Sequence, residues 1–402
     1  MLPVAEARTR ILAAFSPQPT EWIPLGAALG RVLSAPLLAR RDQPPAAVSA
    51  MDGYAVHAAD TDPPGRWLSV IGEVPAGHRL GTPLRPGEAA RIFTGAPLPE
   101  GADAIAIQEN AEVLDNRVRF SRACTPGEFV RPAGLDFAIG WEGLAAGTVL
   151  DSRALGLAAA MGHAWLPVRL RPRIGILATG DELAWPGETA GPDRIISSNS
   201  TALAGMITGW GGEPVDLGIA KDRPDELTAH LREARGLDAL LTSGGASVGD
   251  YDLVQQALGT EGLELGFWKI AMRPGKPLLF GTLAGTPILG LPGNPVSSAV
   301  CAIIFLRPAM RNMLGLPPDL PERRLPLEQP LPANDVREDY MRASYVAHAD
   351  GHRSVLAARR QDSSMFATFA RADALIVRPP RAPALAVGEP VSVIDLAEAL
   401  RT

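Results

Sequence analysis

The chain has 402 residues, 46% of them hydrophobic and 20% charged, a composition that suits roughly two to four domains with buried cores and excludes disorder over most of the length. Its 41 glycines and 38 prolines show no period, so they point to many turns and short β elements, not to collagen or low complexity. With 38 basic and 44 acidic residues the net charge is −6, and no basic excess argues for nucleic acid or an anionic membrane.

The first ten residues carry charges and no apolar h-region follows, so no signal peptide is expected. Residues 1–40 place Ala5, Ile11, Leu12 and Phe15, then Leu25, Leu29, Val32 and Leu33, at helical spacing. Over 41–134 the texture changes to short apolar runs broken by Pro and Gly, which read as a small β domain. SRALGLAAAMGHAWLPV (152–168) is helical again and is expected to pack on the N-terminal helices. These readings give an N-terminal helical and linking domain (1–40 with 135–168) interrupted by an inserted small β domain (41–134).

From 169 to 316 the rhythm becomes strand, loop, helix. IGILAT (174–179), LDALLTSGG (237–245) and TPILGLPGNP (286–295) each hold a buried-strand run that leads into a Gly- or Pro-rich turn. Asp222 reads as the N-cap of a helix with Pro224 in its first turn, and Gly236 as its stop. Alternating β and α argues a doubly wound parallel sheet, whose ligands bind at the carboxyl ends of the strands. The longest uncharged apolar run, AVCAIIFL (299–306), falls far short of the ~18–20 residues that span a bilayer. Short runs in a Pro-rich background over 317–402 predict a C-terminal, barrel-like β domain. The fold class expected is multidomain α/β plus β, and the location expected is the cytoplasm.

Several loops carry chemistry-bearing residues. In TSGGASVGDYD (242–252), Gly244 and Gly249 have phosphate-loop spacing, but Asp250 and Tyr251 stand where a nucleotide-triphosphate loop needs Lys and Ser/Thr. Amides around Ser243, Gly244, Gly245, Ser247 and Gly249 can still cradle an anion, and Asp250 with Asp252 can hold a hydrated cation; a tight turn with two solvated carboxylates is the plainer alternative. RPGKP (273–277) fixes Arg273 and Lys276 on a Pro-stiffened loop, which suits phosphate or an oxyanion unless it is an ordinary surface turn. Thr179, Asp181 and Glu182 follow the first strand, where carboxylates bind metals or act as bases. Asn199 opens the next helix as a cap or a ligand-facing amide. Pro292, Asn294 and Pro295 mark a helix start that can face a ligand. In the insertion, AMDGYAV (50–56), TGAPLPEGADAI (94–105) and RPAGLD (131–136) are turns that carry Asp52, Thr94 and Asp136.

Other chemistries find no support. Cys124 and Cys301 lie far apart and form no CxxC pair, and each reads as a small buried hydrophobe. The six histidines include no HxH or HExxH, and no GxSxG elbow or aromatic nucleic-acid platform is present.

Taken together and in order, MDGYA, TGAPLPEGADA, RPxGxD, TGDEL, TSGGxSxGDxD, RPGKP and GLPGNPVSS resemble the molybdopterin molybdenumtransferase family. Its relatives include the E domains of plant and animal molybdenum cofactor proteins such as gephyrin. The resemblance implies an elongated, four-domain homodimer that inserts molybdate into adenylylated molybdopterin with Mg²⁺ and releases AMP and molybdenum cofactor. It implies that a molybdopterin adenylyltransferase supplies the substrate and that molybdoenzymes receive the product. By the same resemblance the functional acids are Asp52, Asp136, Glu182, Asp222 and Asp252, with Thr94, Lys276, Pro292 and Pro295 at motif positions. Glu182, Asp250 and Asp252 would position Mg²⁺ and the attacking water, and Arg273 and Lys276 the oxyanion or phosphates. An acidic chain must bind this polyanion through local cations, amides and a metal, not through global steering.

The chain departs from the family pattern at three places. Ser197-Ser198-Asn199 stands where Asp-Ser/Thr-Asn is usual, Arg273 where many members have Lys, and Gly134-Leu135-Asp136 where many have Gly-Glu-Asp. The alternative readings are a tungstate-inserting homologue and a non-catalytic carrier or scaffold.

Overall fold

A computed structural model describes residues 1–189, 191–244 and 262–401. The chain divides into two compact units. One comprises residues 1–21, 30–34 and 167–402, and the other 22–29 and 35–166.

The second unit is built on a six-stranded sheet. Its strands are β1 (Gly53–Val56), β2 (Leu68–Val74), β3 (Glu88–Ile92), β4 (Ala104–Ile107), β5 (Ala111–Leu114) and β6 (Arg117–Phe120), in the spatial order β4-β1-β3-β2-β6-β5. Alternate residues of β1 face opposite sides of the sheet, as the two-residue period of a strand requires. Tyr54 and Val56 enter one core with Leu68, Val118 and Phe120, and Ala55 enters another with Val74, Ile92 and Ile105. Both faces are thus covered, which explains why runs such as AIAI lack alternation. Helix α1 (Ser152–Ala160) is capped by Asp151, whose carboxylate accepts from the amides of Arg153 (3.0 Å) and Ala154 (2.8 Å).

The helical spacing of 25–33 yields only a 3₁₀ turn, Leu25–Ala27. Gly26 lowers helix propensity there and Gly30 turns into the left-handed region (φ 73°), so no helix propagates. The stretch 152–168 is likewise not one helix. It stops at Ala160, reverses through Gly162 and continues as the strand Trp165–Arg169.

The first unit holds a six-stranded α/β sheet with β7 (Arg173–Thr179), β8 (Glu213–Ala220), β9 (Ala239–Ser243), β10 (Leu263–Trp268), β11 (Leu279–Leu283) and β12 (Thr286–Leu291), ordered β8-β7-β9-β12-β11-β10. The four strands β8, β7, β9 and β12 are parallel, whereas β11 and β10 add antiparallel. The expected all-parallel sheet is therefore mixed. The reason is local: Ala284 (φ 47°) and Gly285 (φ 88°) form a two-residue turn with both residues left-handed, the geometry that closes a β-hairpin between β11 and β12. Among the described residues α2 (Asn199–Gly209), α3 (Pro224–Glu233), α4 (Pro295–Cys301) and α5 (Arg307–Met313) belong to this unit, with Ala302–Leu306 joining the last two as one π turn. The N-cap before Pro224 is Arg223 and not Asp222, one residue later than the sequence suggested. The N-terminal helix Val4–Leu12 buries Val4, Ala7 and Ile11 in this same core beside Ile174, Trp210 and Phe305.

Residues 322–395 supply most of a third six-stranded sheet: β13 (Glu322–Pro326), β14 (Glu338–Ala347), β15 (Arg353–Ala357), β16 (Ala374–Arg378) and β17 (Pro390–Asp395). The pair Met272–Arg273 joins its edge, parallel to β14. Cys301 is fully buried and burial pushes its thiol well up, which fits a packing role. No helix among the described residues is long and apolar enough to cross a membrane.

Gly53 offers a direct test of the β1–β4 pairing. A Cβ there would lie 2.1 Å from the Ala106 carbonyl oxygen, so the backbone must shift. Gly53→Ala should cost about 1–3 kcal/mol of stability, read as a lower urea midpoint; an unchanged midpoint would contradict this packing.

Candidate functional site

The carboxyl ends of β7, β9 and β12 enclose a cavity of about 620 Å³ in the first unit. That is where parallel α/β sheets bind ligands, because the strands end side by side and their loops diverge. Thr179 is the last residue of β7, Ser243 the last of β9, and Pro292 to Pro295 follow β12; all of them line the cavity, with Glu182, Asn199 and Gly244.

Asn199 organises this rim. Its Nδ2 donates one hydrogen bond to Ser243 Oγ (2.8 Å) and one to the Gly293 carbonyl oxygen (2.8 Å). One amide group from the start of α2 thus ties together the ends of two neighbouring strands. Gly244 permits the approach: its φ is +104°, and a Cβ there would sit 2.2 Å from the Thr179 carbonyl oxygen. Beneath it the Thr179 hydroxyl, 1% exposed, has no hydrogen-bond partner among the described residues. A buried hydroxyl left unpaired costs stability, and this one lies shielded from solvent beneath Gly244, whose Cβ position would be 2.9 Å from its oxygen.

The remaining walls come from residues that the sequence reading passed over. Leu183, Ile195 and Ile196, part of a small parallel pairing (Leu183–Ala184 with Ile195–Ile196), give an apolar side. Ser364 closes another side. Its loop is docked by the Val296 amide on the Ser363 carbonyl (3.0 Å) and by Asn294 Nδ2 on Ser363 Oγ (2.9 Å). The Asp362-Ser363-Ser364 turn, in which Asp362 accepts from the Ser364 amide and hydroxyl, was the available signal. Ser197 is buried with its Oγ 3.5 Å from that of Ser200, so no charge occupies that position.

The RPGKP loop behaves differently from expectation. Arg273 is exposed but paired, with Asp339 and, at 3.4 Å, with Asp335; the Asp339 bond holds its guanidinium above the ordinary range. Lys276 is exposed and has no side-chain partner among the described residues, while its neighbour Pro277 lines the cavity. Asp222 lies between β8 and α3 and is not among the lining residues. Gly245, Ser247, Gly249, Asp250 and Asp252 lie outside the described residues. No group of three or more His, Cys, Asp or Glu suited to a metal is present among the described residues; Glu182 is the carboxylate they contribute to this cavity.

In the second unit, Asp52 Oδ1 accepts from the Thr94 amide (2.7 Å) and hydroxyl (2.8 Å). The amide bond first, then the hydroxyl bond and the nearby Arg91 charge, hold the Asp52 carboxyl below the usual aspartate range. Asp136 lines a separate cleft of this unit with Arg41, Arg79 and Arg131.

A cavity at the strand ends of an α/β domain, carried with an inserted β sheet and a C-terminal β sheet, defines a multidomain protein with a ligand-binding α/β core. Comparison with family models matches residues 2–162 to "MoeA N-terminal region (domain I and II)", 175–312 to "Probable molybdopterin binding domain" and 324–396 to "MoeA C-terminal region (domain IV)". A molybdopterin molybdenumtransferase of Nostoc sp. is 40% identical over 310 residues, 75% of this chain and 71% of the relative. Molybdopterin molybdenumtransferase 2 of Mycobacterium tuberculosis is 38% identical over 385 residues, 93% and 94% of the two chains. The solved structure of a molybdopterin biosynthesis MoeA protein from Pyrococcus horikoshii superposes with a TM-score of 0.87 at 29% identity, covering 98% of this chain and 99% of that one. The chain belongs to the molybdopterin molybdenumtransferase family, enzymes of molybdenum cofactor biosynthesis.

Two substitutions test the site's construction. Asn199→Asp removes both donors and turns a carboxylate toward the Gly293 carbonyl; it should cost about 1–3 kcal/mol in urea unfolding, and an unchanged midpoint would show that the bridge carries no load. Thr94→Val removes only the hydroxyl bond to Asp52. Because that bond lowers the pKa, Asp52 in the variant should lose its charge at a higher pH, followed by carboxyl-carbon NMR titration, and an unmoved midpoint would contradict the contact.

Proposed function

We propose that the chain transfers molybdenum from molybdate to adenylylated molybdopterin, with Mg²⁺-dependent hydrolysis of the adenylate and release of AMP and molybdenum cofactor. The observation that carries this reading is the cavity at the ends of β7, β9 and β12, with a Thr179 hydroxyl unpaired among the described residues, its Asn199-tied rim and its apolar Ile195–Ile196 side. The polar floor suits phosphate oxygens and the apolar side suits a flat heterocycle.

In this reading Thr179 donates to a substrate oxygen, and Asn199 keeps Ser243 and Gly293 from shifting as the ligand enters. Lys276 supplies the cation for the oxyanion. Arg273 serves by holding the RPGKP loop against Asp339 and Asp335. Glu182 would hold Mg²⁺ with Asp250 and Asp252, and these are hard oxygen donors of the kind Mg²⁺ prefers. When bound, the ion would neutralise phosphate charge and lower the pKa of a water. Asp52, kept ionised by Thr94, and Asp136 are the insertion's functional acids. The same reading makes the protein a cytoplasmic homodimer of four-domain chains, supplied by a molybdopterin adenylyltransferase and drained by molybdoenzymes.

The test is AMP release from adenylylated molybdopterin with Mg²⁺, with and without molybdate. Release should depend on molybdate and should fall about 10²–10⁴-fold in Glu182→Gln with pterin binding retained. Pterin binding without any release would favour a carrier, and preference for tungstate over molybdate would reassign the anion.

A further inference from the structure

The hairpin between β14 and β15 carries a side-chain cluster that the proposed reaction does not use. Its turn, Ala349-Asp350-Gly351, is closed by the His348 amide on the His352 carbonyl and the Gly351 amide on the His348 carbonyl, each at 3.0 Å. His348 and His352 therefore stand opposite each other across the hairpin. Their rings stack with centroids 3.9 Å apart and planes 5° from parallel.

Each ring is oriented through its far nitrogen by a carboxylate. His352 Nδ1 lies 2.5 Å from Asp350 Oδ1, which also accepts from the His352 amide (3.2 Å). The ring bond holds the Asp350 carboxyl below the usual aspartate range, so this oxygen accepts. His348 Nε2 lies 2.8 Å from the oxygen of the buried Ser354 hydroxyl, whose hydrogen goes to Glu328 Oε2 (2.6 Å). Glu328 is placed there by its own amide, which donates to the Val355 carbonyl (2.9 Å). A hydroxyl that has given its one hydrogen away can only accept from the ring. His352 Nδ1 and His348 Nε2 thus carry the hydrogens of the neutral imidazoles, which leaves lone pairs on His352 Nε2 and His348 Nδ1. A carboxylate behind the far nitrogen is the arrangement that fixes the tautomer of a metal-binding histidine and raises its basicity.

We propose that His348 Nδ1 and His352 Nε2 bind one divalent ion of the imidazole-preferring class, Zn²⁺ being its probe, with water completing the coordination. No group of three or more metal-ligating side chains stands among the described residues, so the site is open and exchangeable. Parallel rings share an ion only when their planes open. His352, half exposed at the end of the turn, can tilt together with the exposed Asp350 without moving a buried group. The site is independent of the reaction proposed above, and its ion is not the Mg²⁺ of that reaction, which takes oxygen ligands.

Imidazole ¹⁵N NMR of the full chain, titrated with ZnSO₄, tests the assignment atom by atom. One equivalent of zinc should shift His348 Nδ1 and His352 Nε2, and millimolar MgSO₄ should move neither. In calorimetry, His348→Gln and His352→Gln should each weaken zinc binding at least about tenfold, and Asp350→Asn about tenfold through the ring it orients. His78→Gln, at an exposed histidine of the other unit, should leave binding unchanged. Zinc shifts in only one of the two rings, equal shifts with magnesium, undiminished binding in either histidine variant, or no binding at millimolar zinc would each overturn the proposal. Failure of the AMP-release assay would leave this result untouched.

Discussion

The two hydrogen bonds from Asn199 Nδ2, to Ser243 Oγ and to the Gly293 carbonyl, are the contact on which the candidate site depends. Parallel strands diverge where they end, and nothing in a sheet ladder fixes the spacing of the loops beyond the last paired residue. Ser243 pairs with Leu291 at the very end of the β9–β12 ladder, and the Asn199 amide extends that registration one step further. With that spacing set, Gly244 lies against the Thr179 backbone and the buried Thr179 hydroxyl is left without a partner among the described residues.

The remaining elements serve that arrangement from outside it. The Ser363 loop docks on the start of α4, which brings Ser364 to the cavity wall. Arg273 fastens the RPGKP loop to the edge of β14, where Met272 and Arg273 pair with Glu338 and Asp339. Of the two cations on that loop, one is structural and one is left to face solvent. This division follows from geometry: a guanidinium fork can engage two carboxylates at once, whereas an ammonium group is a point charge on a flexible stem.

Much of this was legible from residue order alone. β7, β9 and β12 were readable because each couples a short buried apolar run to a Gly or Pro turn, and their loops carried Thr179, Ser243, Gly244 and Asn294. The β10 and β11 strands were not, because the Ala284-Gly285 turn that reverses the chain is a weak two-residue signal. The pairing of Arg273 was not legible because its partners, Asp335 and Asp339, lie 62 and 66 residues further along the chain. Ser364 sits in a turn that the Asp362-Ser363-Ser364 run signals, but the docking of that turn on the start of α4 is a long-range contact that the run does not encode. The 25–33 stretch has helical spacing but also two glycines, and backbone entropy outweighed periodicity there.

The central claim is that the cavity bounded by Thr179, Asn199, Gly244 and Asn294 receives the molybdopterin substrate. A crystal structure of the protein with molybdopterin bound tests it most directly. The account predicts ligand density inside that cavity, with a ligand oxygen at about 2.7–3.0 Å from Thr179 Oγ1 and the Asn199 bridge intact. Molybdopterin bound elsewhere, with the Thr179 hydroxyl still unpaired, would contradict it.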